Sequence, residues 1–255
     1  MVDVNTIGLG APLRWLAQGW RDMMNALVPS LLYGAAIALA SFAIWRALIA
    51  SDLAFWALSL SCGFVFVAPM LAMGLYEAGR RISNHEQLRL AQMVLVRSAV
   101  RADVFYLGLA LLLIYLLWGR IAQVVYGLST YRLHTNVQDF VDFSTQTSEG
   151  LTMLVTGTIV GGGMAFFTFS ITVVSAPMLL DQKANVFEAM FTSIRAVAKN
   201  FAPMLLWAVL ITLLLVASAA TSWLGLIVVF PWLGLASWRA YCDVVPDRTA
   251  AEPAR

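Results

Sequence analysis

The chain has 255 residues, of which 61% are hydrophobic and 12% charged, with a formal net charge of +2. Soluble domains carry about a quarter charged residues, so the composition excludes one and indicates a multi-pass membrane protein. No polybasic cluster stands out, which argues against nucleic acid as a partner.

The N-terminal residues lack the positive region, apolar core and small-residue cleavage site of a signal peptide, so the first span is expected to direct insertion. Residues 12–26 form an amphipathic helix. Leu13, Leu16, Trp20, Met24 and Leu27 recur at helical spacing, with Arg14, Gln18, Arg21, Asp22 and Asn25 on the other face. Pro29 opens a first span running to about Trp45, proline being favoured in a first turn. The second span, 53–76, contains Val-Ala-Pro-Met-Leu around Pro69 and ends before Glu77, Arg80 and Arg81.

Residues 86–101 are predicted as a second, less regular amphipathic helix bearing Arg89, Arg97 and Arg101. The apolar run 104–118 is too short alone and continues past Arg120 to make a third span. A polar loop, 129–150, carries His134, Asp139, Asp142 and Glu149. The fourth span, 151–180, contains Ser-Ala-Pro-Met-Leu-Leu around Pro177.

A third amphipathic helix opens the last segment, with Phe187, Met190, Phe191, Ile194 and Val197 on one face and Glu188, Arg195 and Lys199 off it. The uncharged run 201–238 accommodates a fifth and a sixth span, reversing at 218–222, with Pro231 in the returning arm. The whole is thus an all-α membrane protein of six transmembrane helices. Its simplest description is three helix-plus-hairpin repeats, residues 12–81, 84–182 and 184–243, with cytoplasmic interfacial helices and a polar cytoplasmic tail at 244–255. Two spans per copy make the repeats parallel.

Lysine and arginine set the orientation. With both termini in the cytoplasm, Arg14, Arg21, Arg80, Arg81, Arg89, Arg97, Arg101, Lys183, Arg195, Lys199, Arg239, Arg248 and Arg255 lie inside, against Arg46, Arg120 and Arg132 outside. Trp45, Trp56, Trp118 and Trp223 then belong to an outer aromatic belt and Trp15, Trp20 and Trp238 to an inner one. Cys62 and Cys242 read as small apolar fillers.

The span middles hold no Asp, Glu or His, as acid–base or metal-dependent hydrolysis would require. His85 and His134 fall on opposite sides of the membrane and cannot clamp one haem. No catalytic residue, metal or cofactor is therefore expected. Arg120, flanked by apolar sequence, is a candidate anion or lipid contact, although snorkelling beyond Trp118 accounts for it more simply. Gly157 and Gly161 form a GxxxG pair in the fourth span, which also carries Thr168 and Thr172; close helix packing explains these better than a hydroxyl-lined path. Pro69, Pro177 and Pro231 are candidate kinks.

Three stretches, at 20–34 (with Trp20, Arg21, Asp22 and Pro29), 68–77 (with Pro69 and Glu77) and 228–241 (with Pro231, Trp232, Trp238 and Arg239), resemble bacterial integral membrane proteins of the domain of unknown function family 2189. The resemblance extends over nearly the whole chain and implies a six-helix protein of the bacterial inner membrane. It supplies no catalytic residue. The expected function is a non-enzymatic accessory or assembly subunit of a larger membrane complex, such as a respiratory one. The expected partners are membrane lipids and such a complex or further copies of the chain. The alternative is a small channel or carrier for a neutral or amphiphilic solute.

Overall fold

The computed structural model describes residues 3–51, 54–96, 102–130, 134, 137–182 and 184–246. Arg97, Arg101, Arg132, Lys183, Arg248 and Arg255, and the tail beyond residue 246, lie outside the described residues. Those described form helices and no strand: α1 (Ala11–Asn25), α2 (Leu27–Ala50), α3 (Ala54–Leu71), α4 (Met73–Ser83), α5 (Leu90–Val94), α6 (Ala102–Ser129), α7 (Val137–Gln146), α8 (Ser148–Thr172), α9 (Ser175–Asp181), α10 (Val186–Lys199), α11 (Phe201–Ala220) and α12 (Leu226–Val244).

Among the described residues four stretches are long and apolar enough to cross a membrane: Leu27–Ala50, Ala102–Ser129, Ser148–Asp181 and Phe201–Ala220. The pair Phe55–Leu71 and Met73–Ser83, bent by 40°, makes a fifth if taken as one span. The returning arm α12 is not among them. Arg239 and Asp243 occupy its last turns, and most of its surface is covered by other helices.

The chain divides into two compact units, Met1–Ala38 with Pro69–Leu107 and Ser170–Arg255, and Leu39–Ala68 with Gly108–Phe169. In the first unit α12 is the centre, with α1, α4, α9 and α11 packed on it. Helix α1 comes so close that a Cβ on Gly19 would lie 2.6 Å from the Ala236 nitrogen, so glycine is the residue that permits this crossing. Trp15 and Trp207, both fully buried, meet edge to face at 5.7 Å. The N-terminal segment is tied down as well. Asn5 N–H donates to the Val244 carbonyl at 2.8 Å, and Asn200 both donates to the Asn5 carbonyl and accepts from Ile7 N–H, each at 2.9 Å.

Both amphipathic helices of this unit turn their apolar ridges off the protein. On α1 the buried face is Trp15, Gly19, Asp22 and Met23, while Leu13, Trp20 and Met24 are exposed. On α10 the small residues Ala189, Thr192, Ser193 and Ala196 are buried and Phe187, Phe191 and Ile194 are exposed. Each joins its following span through one residue, Ala26 or Asn200, and Pro29 and Pro203 both stand third in that span.

In the second unit Trp118 is the anchor. Its ring packs beside Phe66, with centroids 6.0 Å apart, and its indole N–H donates to the Ser59 carbonyl at 2.9 Å. Phe55 stacks on Tyr126 at 4.6 Å and His134 on Phe143 at the same separation.

Four expectations need correction. The stretch 129–150 is not simply a loop, because Val137–Gln146 is helical, with Gln138 and Gln146 both donating to the Asp142 carboxylate. Of the helix expected over 86–101, the described residues show only Leu90–Val94. Trp15, Trp118 and Trp238 are core residues with bonded indoles, whereas Trp20 is exposed. Cys62 and Cys242 are exposed thiols, not core fillers.

Candidate functional site

The richest gathering of polar side chains lies in the first unit, where α12 ends among α1, α4 and α9. Helical spacing puts Arg239 one turn before Asp243, and both reach α1. The Arg239 guanidinium donates to both oxygens of Asp22, at 2.6 and 2.8 Å. This pairing is bidentate, the geometry in which arginine binds a carboxylate best. Asp22 is buried, and its bonds hold the Arg239 guanidinium above its ordinary value. Asp243 accepts from the Trp15 indole at 2.9 Å and lies 3.6 Å from the exposed Arg14.

Tyr241, between them, points toward α9. Its hydroxyl donates to Asp181 at 2.9 Å and accepts from the Gln182 amide at 3.0 Å. Burial first, and the Asp181 carboxylate second, push the Tyr241 phenol upward. The Trp238 indole donates to the Ser83 hydroxyl of α4 at 3.1 Å.

Helix α4 carries its own charged knot. Glu77, 4% exposed, accepts from Arg80 at both oxygens and from Arg81 at 2.6 Å, spacings of three and four that set all three on one face. Arg81 also reaches Glu86 at 2.9 Å. The chain then leaves α4 with His85 in the left-handed region (φ 57°). His85 N–H bonds the Ile82 carbonyl and Glu86 N–H the Arg81 carbonyl, which together form a Schellman ending.

The helix breaks beside two of the prolines are satisfied by side chains of this unit. Pro69 stands inside α3, which breaks at Ala72, and the Leu71 carbonyl left free there accepts the Tyr33 hydroxyl at 2.7 Å. Pro177 is third in α9. The break at residues 173–174 falls where its ring crowds the preceding turn, and Val174 N–H finds the Ser193 hydroxyl of α10 at 3.1 Å. Pro231 lies within a continuous α12.

The residues singled out in the fourth span are dispersed. Gly161 lies under the Trp118 ring, which a Cβ would meet at 2.8 Å, while Gly157 faces open space. Thr168 and Thr172 are buried at 1% and 3% exposure. Arg120 is exposed and donates to Gln123 at 3.3 Å.

Chemically, Asp22 and Glu77 are carboxylates with their oxygens occupied by guanidinium donors. Such groups fix helix register; they do not abstract protons. Among the described residues no three His, Cys, Asp or Glu side chains gather at metal-binding distance. Sequence reasoning passed over Asp22, Glu77, Asp181 and Tyr241. Glu77 had a local signal in its spacing from Arg80 and Arg81, whereas the partners Asp22 and Arg239 lie 217 residues apart.

No curated protein and no solved structure matches this chain. The match with a known family begins in α3 and ends at the last residue of α9. It takes in Pro69, the Glu77 knot and α8, but not α1 or the 228–241 stretch. Over residues 57–181, just under half of its length, the chain matches the family model described as predicted integral membrane protein (DUF2189).

Proposed function

We propose that this chain is a non-enzymatic accessory or assembly subunit, packed against a larger complex in the bacterial inner membrane. In this reading it spans the membrane six times as three helix-plus-hairpin units, with both termini cytoplasmic.

The observation that carries the reading is how little of each span the chain covers for itself. Between 17% and 39% of the most apolar stretch of the four span-length helices is buried. Part of what is left outward on α8 is small or hydroxylated: Thr152, Thr156, Thr158, Gly162 and Gly163 are exposed. Lipid chains offer no partner to such a surface, whereas another helix approaches closely on glycine and bonds to hydroxyls. The bonded carboxylates of the first unit support a scaffold role. A path along α8 is the weaker reading, because Thr168 and Thr172, its natural lining, are packed against protein.

The test is recovery of the tagged chain at native expression level in mild detergent, followed by mass spectrometry of what co-purifies. Stoichiometric recovery of a larger membrane complex is expected. Recovery of the chain alone, or with lipid only, overturns the proposal.

A further inference from the structure

Helix α1 is a 15-residue amphipathic helix whose charges are sorted between its faces. Its one acid, Asp22, is buried and neutralised by Arg239. Its two cations, Arg14 and Arg21, are exposed. Arg14 has only the 3.6 Å approach of Asp243, the two side chains being 61% and 42% exposed. Arg21 has no partner among the described residues. Beside these cations run the exposed Leu13, Trp20 and Met24.

The corresponding helix α10 differs in one respect. It too exposes an apolar ridge, but Lys199 is committed to the Val4 carbonyl at 2.6 Å, and Arg195 is engaged.

We infer that the outer face of α1 is a docking face for anionic bilayer lipid, with Leu13, Trp20 and Met24 entering the headgroup–acyl boundary and Arg14 and Arg21 taking the phosphates. An apolar ridge flanked by exposed cations, one of them unpaired and the other only loosely approached by an exposed carboxylate, is the pattern that binds such a surface. The fold removes the ordering cost that a free amphipathic peptide would meet. The Gly19–Ala236 crossing, the Asp22–Arg239 pair and the Trp232 indole bond to the Leu16 carbonyl at 2.7 Å already hold the helix in place. This inference stands independently of any partner complex.

The purified full chain is exchanged into mixed micelles holding equal amounts of phosphatidylcholine and phosphatidylglycerol, and the retained lipid is quantified by mass spectrometry. The wild type retains phosphatidylglycerol in excess. That excess falls by up to about five-fold for each arginine removed in R14Q and R21Q, shrinks at 1 M salt and is kept in R14K/R21K. Retention at the bulk ratio by the wild type overturns the inference, as does an excess that survives in R14Q/R21Q. Should R14Q/R21Q fail to fold, the comparison of R21K with R21E decides: equal retention by the two overturns the inference, and loss in R21E alone supports it.

Discussion

In the first unit the indole N–H groups of Trp15, Trp232 and Trp238 reach a carboxylate, a backbone carbonyl and a hydroxyl, in company with Asp22 and Glu77 buried under guanidinium groups. In the second unit Trp118 also donates to a carbonyl, but its ring fills space against Phe66 and Gly161, and no charged side chain is buried among the described residues. The contrast separates two ways of ordering helices in a membrane protein. Lipid is as apolar as a core, so burial alone discriminates weakly between arrangements. Bonded charges penalise every wrong register, whereas ring shape penalises only poor fit. Cys62 and Cys242, exposed and one in each unit, allow each to be labelled and followed separately.

The largest effect is expected from R239M. It leaves Asp22 buried without its cation and costs about 3 kcal/mol, the lower end for a broken buried pair because Arg239 keeps some contact with water. In an SDS titration the label at Cys242 reports earlier unfolding and the label at Cys62 barely shifts. Restoring an uncharged core with D22L/R239M recovers most of the loss. Equal shifts at both labels would dissolve the distinction between the units.

W118A is the matching probe of the second unit. A cavity left by tryptophan in a soluble core costs about 3–5 kcal/mol. Here much of the transfer contribution is absent because the surroundings are apolar in the unfolded reference too, leaving about 2 kcal/mol. The Cys62 label reports it. W118F, which keeps a ring and loses the bond to Ser59, costs about 1 kcal/mol.

How much of this was readable beforehand depends on how local each signal is. The spans α2, α6, α8 and α11 were legible because an apolar run of this length with no more than two charged residues has few other uses. The amphipathic character of α1 and α10 was legible too, since periodicity is a local property. Which elements each face meets was not. Trp15 and Trp238 look like belt residues until Asp243 and Ser83 are brought to them from far along the chain. Helix α7 was hidden by its polar composition, although Val137, Phe140, Val141 and Ser144 keep a helical period. Of the candidate residues, Gly161 gained a neighbour that spacing could not name, and Asp22 had no local clue to Arg239 at all.

The comparison is sharpened further through pH. Y241F removes the bonds to Asp181 and Gln182 and costs about 1–2 kcal/mol at neutral pH. Because the folded Tyr241 phenol titrates above its unfolded value near 10, its contribution is complete below that value and is lost as pH rises further toward the folded one. The wild type should therefore lose stability at the Cys242 label as pH climbs past about 10, and Y241F should show a flatter alkaline limb. In Y126F, the second unit loses the phenol that accepts from His134 N–H at 3.0 Å while the stack on Phe55 remains, so the Cys62 label should move by about 1 kcal/mol. An alkaline limb that persists unchanged in Y241F would show that the base-sensitive group of the first unit lies elsewhere than at the α9–α12 contact.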